Sequence, residues 1–312
     1  MTRIAAVFPN EGSHYVGMGK EFYAKSLTVR KYYDEAEKIL KSKIAKVCFL
    51  GPKEEQDLTV NAQVGTFLND SAFLELLIQY KRKPELLTGV GVGEVAALVG
   101  AECLPFSVAL KYVAKRGELI ESFAQKHKGL GLFLSGITEE QLNPMLNREE
   151  GELFITHFLS AESFIVWGNH EAVDSIKTEL QGIRQIKMNL QLIRGPLFTD
   201  KAVELESSFE NLLTECLGEN RLNSPKIPCI CSGDGSYVGT VERAREILIR
   251  QYSKPIQWVK TVKAVIDRGF RTWVEVGPGK IYSSFVKKID LDTRVMNVED
   301  PATLTIVLKV TG

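Results

Sequence analysis

No run of apolar residues in the 312-residue chain approaches the ~20 needed to span a bilayer, so the sequence offers no transmembrane helix. Cysteine is scarce. Its five residues, an odd number without regular spacing, exclude a disulfide framework in a chain this long and fit a reducing cytoplasm. Cys229 and Cys231 alternate around Ile230 in a strand-like stretch and read as a buried reduced pair, since no second Cys/His pair lies nearby to complete a metal site. Neither sign of charge dominates: Lys+Arg and Asp+Glu both number 39, which argues against a nucleic acid or an anionic membrane as partner. Internal repeats and low-complexity segments are lacking too. The stretch Met1–Phe8 has too few apolar residues before Pro9 for a signal-peptide core and reads as a first buried strand. What remains, 44% hydrophobic and 25% charged, is ordinary for a globular protein. It is long enough for one large α/β domain, or a main domain with a smaller one inserted.

Helical periodicity marks Ala62–Tyr80, Ser107–Gln125, Glu171–Leu180, Leu197–Leu217, Val241–Gln251 and Val259–Arg268. Strand patterns at Ile4–Phe8, Leu86–Thr88, Ile227–Ser232, Thr272–Val276 and Arg294–Val298 alternate with them. This alternation predicts an α/β fold, a mostly parallel sheet flanked by helices. The middle follows another order: strand 129–136, helix 139–146, a hairpin of Leu153–Phe158 with Phe164–Gly168, helix 171–180 and strand 183–188. That β-α-β-β-α-β succession predicts a ferredoxin-like subdomain at 127–193, inserted between 1–126 and 194–312 of the large domain.

One further absence concerns chemistry. Gly89-Val90-Gly91-Val92-Gly93-Glu94 lies where strand 85–88 turns into a helix expected near Glu94. In G-x-S-x-G enzymes this strand–turn–helix lifts a serine toward an acyl group. Here the central residue is Gly91, with no side chain. The alternative, a dinucleotide-binding G-x-G-x-x-G, would need glycine where Glu94 stands, and an acid there opposes a pyrophosphate. Gly277-Pro278-Gly279 lacks the Lys-Ser/Thr of a Walker loop and reads as a tight turn.

Short motifs in register along the chain resemble those of the malonyl-CoA:acyl-carrier-protein transacylase family. Phe8-Pro9-Asn10-Glu11-Gly12-Ser13-His14 resembles F-P-G-Q-G-S-Q, and Gly89–Glu94 resembles G-H-S-x-G-E. Arg116-Gly117 lies on the next long helix, where the family keeps an arginine. Gln251 to Trp258 resembles Q-x-x-x-P-V-x-W, and Val274 to Lys280 resembles V-E-V-G-P-G-K.

The resemblance implies a serine acylated by malonyl-CoA and relieved by a carrier-protein phosphopantetheine thiol. It also implies a histidine base, a backbone oxyanion hole and an arginine for the malonyl carboxylate. Position by position, the serine falls on Gly91, the preceding histidine on Val90, the base on Phe198 and the motif's glutamine on Glu11. A hairpin asparagine falls on His157. Acyl-enzyme chemistry needs a nucleophile with a base in reach, and neither Gly91 nor Phe198 supplies one. Arg116, Gln251, Glu11 and Val92 are the substrate-binding candidates. Arg116 suits a carboxylate, or pairs with Glu11, with Gln251 as its brace. His157 is the remaining imidazole candidate. Glu94 suits a helix N-terminus by dipole alone.

The expectation is therefore a degenerate acyltransferase of fatty-acid or polyketide synthesis. It needs no metal or resident cofactor, and its ligands would be malonyl-CoA or a phosphopantetheine-borne acyl group. Its partners would be acyl carrier protein or an active paralogue, and Lys280, Lys287 and Lys288 are candidate contacts for an acidic carrier. The alternative is an active acyltransferase or thioester hydrolase with a non-standard mechanism.

Overall fold

Ile4–Phe8 (β1) is buried along its whole length, and its residues divide between two cores. Ile4, Ala6 and Phe8 face one, and Ala5 and Val7 face the other. A strand apolar on both faces belongs inside a sheet covered by helices on either side. The computed structural model describes residues 2–148, 152–191 and 193–312. Its further strands are β2 (Leu86–Gly89), β3 (Leu130–Ser135), β4 (Leu153–Ser160), β5 (Ser163–Gly168), β6 (Lys187–Gln191), β7 (Cys229–Ile230), β8 (Tyr237–Val238), β9 (Ile256–Gln257), β10 (Thr272–Val276) and β11 (Arg294–Val298).

The main sheet runs β11-β10-β1-β2-β7-β8. Every pairing in it is parallel except the last, β7 with β8. β1 and β2 lie side by side at its centre, so the loops leaving their carboxyl ends, Pro9–Ser13 and Gly89–Gly91, meet. Open α/β sheets form their crevices at such edges.

The second sheet runs β6-β3-β5-β4-β9. Its first four strands are antiparallel, in the ferredoxin-like order, and the helices Glu139–Arg148 and His170–Leu180 accompany them. β9 pairs parallel to β4, matching His157 with Ile256, so the segment after Gln251 ties the second sheet to the rest of the chain.

Several boundaries differ from the sequence reading. The helix expected from Leu197 begins at Glu206, after a 3-10 turn over Asp200–Leu205. The Gly195-Pro196 pair and the positive φ of Phe198 keep the preceding segment a loop. The last strand of the second sheet is Lys187–Gln191 rather than 183–188, because its register is set by pairing with β3. The elbow helix starts at Val92, two residues before Glu94. Helices at Leu27–Leu40, Ile281–Ile289 and Pro301–Val310 were not anticipated, although Asp300, Pro301 and Thr303 form a capping box with Pro at the first turn. Cys229 and Cys231 are buried free thiols, as expected.

Candidate active site

The elbow retains the backbone shape of a nucleophile turn. Gly91 caps the helix Val92–Gly100 with φ 55° and ψ −119°, a conformation that side-chain-bearing residues adopt only under strain. Gly93 is required by contact: a Cβ there would overlap the Phe8 carbonyl oxygen, because the helix sits directly on β1. Val92 is buried at the first helical position, and its N–H has no hydrogen-bond partner among the described residues. First-turn N–H groups of a helix have no acceptor within the helix.

The space above Gly91 is filled. A Cβ on Gly91 would stand 3.1 Å from Glu11 Oε2, 3.3 Å from Asn10 Cβ and 3.5 Å from Phe198 Cζ. Glu11 Oε1 accepts hydrogen bonds from Gln63 Nε2 and from the Tyr252 hydroxyl, both at 3.3 Å. Oε2 is buried and has no partner. The carboxylate is thus anchored through one oxygen while the other stands over the elbow.

Arg116 is fully buried and forms no ion pair among the described residues. Its Nε and Nη2 donate to Gln63 Oε1 at 3.1 and 3.0 Å, and Nη1 is left unpartnered. Gln63 therefore stands between Arg116 and Glu11, replacing the direct pair considered from the sequence. The rings of Tyr112 and Tyr252 lie 5.6 and 5.2 Å from the guanidinium and supply cation–π attraction in place of a counter-ion.

Gln251 does not brace Arg116. It is buried with both amide atoms unpartnered, beside a separate small cavity that it shares with Glu94, Cys231 and Arg243. Glu94 is more than a dipole-stabilised first-turn acid. Its Oε1 accepts from the Ser232 N–H and hydroxyl at 2.8 and 3.0 Å, tying the elbow helix to the loop after β7. Burial raises its pKa to about 7 against those hydrogen bonds.

Phe198 occupies the position of the expected base. It has a positive φ of 62° and packs between His157 and Tyr252, at ring separations of 4.8 and 4.9 Å. His157 follows an irregularity in the β4–β5 pairing, and such bulges re-aim side chains. Its Nδ1 lies 2.9 Å from Thr156 Oγ1, whose own proton goes to the Ile165 carbonyl. Nδ1 therefore carries the ring proton, and Nε2 is a bare, buried acceptor without a partner. Burial lowers the imidazole pKa to about 3, so the ring is neutral in ordinary buffers.

A cleft of about 170 Å³ opens beside this group. Asn10, Glu11, His157, Phe198 and Tyr282 line it, with Lys53 and Arg194 among the other lining residues. Gly91 and Arg116 do not reach its wall; Glu11, Gln63 and Phe198 cover them. Gln63 and Tyr252 were missed as site residues. Tyr252 adjoins the Gln251 singled out from the sequence. Gln63 had little signal of its own, being one of several polar residues, with Asn61, Thr66, Asn69, Asp70, Ser71 and Glu75, along the helix Thr59–Gln79.

A family model described as an acyl transferase domain matches residues 6–300. The malonyl CoA-acyl carrier protein transacylase of Bacillus subtilis strain 168 is 28% identical, over 99% of this chain and 97% of that protein. The malonyl CoA-acyl carrier protein transacylase of Haemophilus influenzae is 27% identical, over 98% of both. Among solved structures, an acyl-carrier-protein S-malonyltransferase from Burkholderia pseudomallei aligns with a TM-score of 0.89 at 26% identity, covering 99% and 100% of the two chains. A malonyl-transacylase solved in complex with its type II polyketide acyl-carrier protein matches with a TM-score of 0.90 at 23% identity, again over 99% and 100%; that likeness bears on the fold.

Proposed function

Since the chain belongs to the acyl transferase domain family, we propose that it serves carrier-protein-dependent fatty-acid or polyketide synthesis without the family's acyl-serine. It would receive a malonyl thioester, on CoA or on a phosphopantetheine arm, in the cleft beside Glu11, and dock acyl carrier protein or a serine-bearing paralogue around it. The observation that carries this reading is the elbow itself. The turn, the helix start and the free Val92 N–H are kept, while Gly91 presents no atom for acylation. A family scaffold kept without the family's serine fits a role that holds the thioester or its carrier without forming an acyl-serine.

The cleft supports a thioester ligand by its lining. Apolar Phe198 and Ile165 face it, and Lys53 and Arg194 place cationic groups along it, suited to a phosphorylated arm or an acidic carrier. Asp57 takes up part of that charge, accepting from Lys53 Nζ at 2.5 Å and, through its carbonyl, from Arg194 Nη2 at 2.6 Å. Of the lysines considered from sequence, Lys287 donates to the Thr293 carbonyl at 2.8 Å and Lys288 lies over the Phe285 ring, so both have local partners.

Calorimetric titration with malonyl-CoA and with holo acyl carrier protein tests the reading. Saturable binding of either, weakened by Arg194→Glu, is the expected result. A chain that binds neither would refute the assignment.

A further inference from the structure

A serine at the elbow needs a base; a carboxylate does not, because it is already an anion. Three departures from the family pattern converge on one point of this structure: the hydroxyl is gone from residue 91, the imidazole is gone from residue 198, and a carboxylate stands at residue 11. Glu11 Oε2 lies 3.1 Å from the place a Cβ on Gly91 would take, within reach of the volume a serine hydroxyl would sweep. That oxygen is buried and has no hydrogen-bond partner. Its sister oxygen is fixed by Gln63 and Tyr252.

We propose that Glu11 is the acyl-accepting group of this site and takes an acyl chain from a CoA or phosphopantetheine thioester as a mixed anhydride. The inference rests on the cleft being a thioester site, as argued above.

In the first step a lone pair of Oε2 adds to the thioester carbonyl carbon, and the carbonyl oxygen becomes an oxyanion. Collapse breaks the C–S bond. The thiolate leaves, and the acyl carbon is now bound to Oε2. In the second step an acceptor thiolate adds to the acyl carbon, the C–O bond to Oε2 breaks, and the Glu11 carboxylate is restored. One thiolate is released and one consumed, so protons balance over the cycle without a base and no redox partner is needed.

The aromatic replacement at residue 198 has a role in this scheme. An acyl anhydride is easily hydrolysed, and Phe198 Cζ, 3.5 Å from the elbow point, covers it with an apolar ring. His157, neutral and against that ring, is not asked to move a proton.

The experiment is chemical trapping. The full chain is mixed with malonyl-CoA, quenched with hydroxylamine, digested and analysed by mass spectrometry, with malonyl transfer to holo acyl carrier protein followed in parallel. The expected result is a glutamyl hydroxamate at Glu11 that appears only with the acyl donor, and transfer that is lost in Glu11→Gln. Glu11→Gln keeps the oxygen that Gln63 and Tyr252 hold, so its thermal melt should match that of the parent chain. The trapping arm uses the unmodified chain and does not depend on the variant folding. If malonyl-CoA binds, no hydroxamate forms at Glu11, and malonyl transfer is absent or survives Glu11→Gln, the nucleophile assignment is overturned while the thioester site stands. If malonyl-CoA does not bind at all, both fall.

Discussion

Glu11 and Gly91 lie against one another: a side-chain oxygen of the first stands 3.1 Å from where the second would carry its Cβ. A serine at the elbow would meet that oxygen in a tight contact. The two positions are therefore linked, and a side chain placed on residue 91 makes a tight contact that Glu11 Oε2 must shift to relieve.

That linkage sets the outcome of repairing the family's chemistry. Gly91→Ser with Phe198→His supplies a hydroxyl and an imidazole but leaves Glu11 Oε2 in contact with the new side chain. The double variant is expected to show no acyl-serine in intact mass after malonyl-CoA treatment. Adding Glu11→Ala, which removes the side chain standing over the elbow, should produce the ester. Gly91→Ser alone should lower stability by about 1–3 kcal/mol, because its backbone conformation is strained for any residue with a side chain. Denaturant melts check the cost, and an ester in the double variant would show that Glu11 does not obstruct the elbow.

Gln63 joins two charged groups that do not touch. Gln63→Leu leaves Arg116 Nε and Nη2 and Glu11 Oε1 each short of a partner inside the protein. Loss of hydrogen bonds to buried charged groups should cost about 1–3 kcal/mol. Equilibrium unfolding in urea reads this directly, and a midpoint unchanged from the parent would show that the relay is structurally idle.

Glu94 ties stability to pH. Burial lifts its carboxyl from the ordinary 4.5 to about 7. The folded form therefore keeps its proton over a range where the unfolded form releases it. The resulting penalty is absent below the ordinary value, grows as pH rises from about 4.5, and is complete above about 7. Glu94→Gln can still accept from the Ser232 N–H, and it should flatten the fall in urea midpoint between pH 5 and 8. At pH 8 it should be more stable than the parent. The same slope in both proteins would disprove the assignment.

His157 should not titrate in the physiological range. With burial lowering its pKa to about 3, its ring nitrogens should keep the shifts of a neutral Nδ1–H tautomer from pH 5 to 8 in heteronuclear NMR. His157→Ala should leave hydroxamate formation at Glu11 intact. A titration near neutrality would mark the ring as an acid–base participant instead.

Much of the fold was legible because it repeats. β1, β2, β10 and β11 carry apolar residues on both faces, and helices such as Phe106–Lys126 show the 3.6-residue period, so their alternation pointed to a parallel sheet. The hairpin of β4 and β5 was equally plain. The sequence pattern fails where pairing partners set the ends: β6 is displaced toward Gln191 by its register with β3. The two-residue β9 is too short to show any period, yet it brings His157 beside the chain that carries Tyr252. At the site, the absence of a hydroxyl at Gly91 and of an imidazole at Phe198 was readable from motif spacing alone. Gln63 was not, because an amide on a buried helix acquires meaning only from what lies opposite it.

By itself the sequence determined that a strand-to-helix turn carries glycine at its centre, since glycines at 89, 91 and 93 and the residue types around them are local properties. Tertiary structure decided what fills the gap. Glu11 leaves β1, Gly91 leaves β2, Gln63 and Arg116 stand on separate helices, and Phe198 comes from a loop far along the chain. Their meeting depends on parallel strands ending at one edge of the sheet, a geometry that no spacing along the chain records.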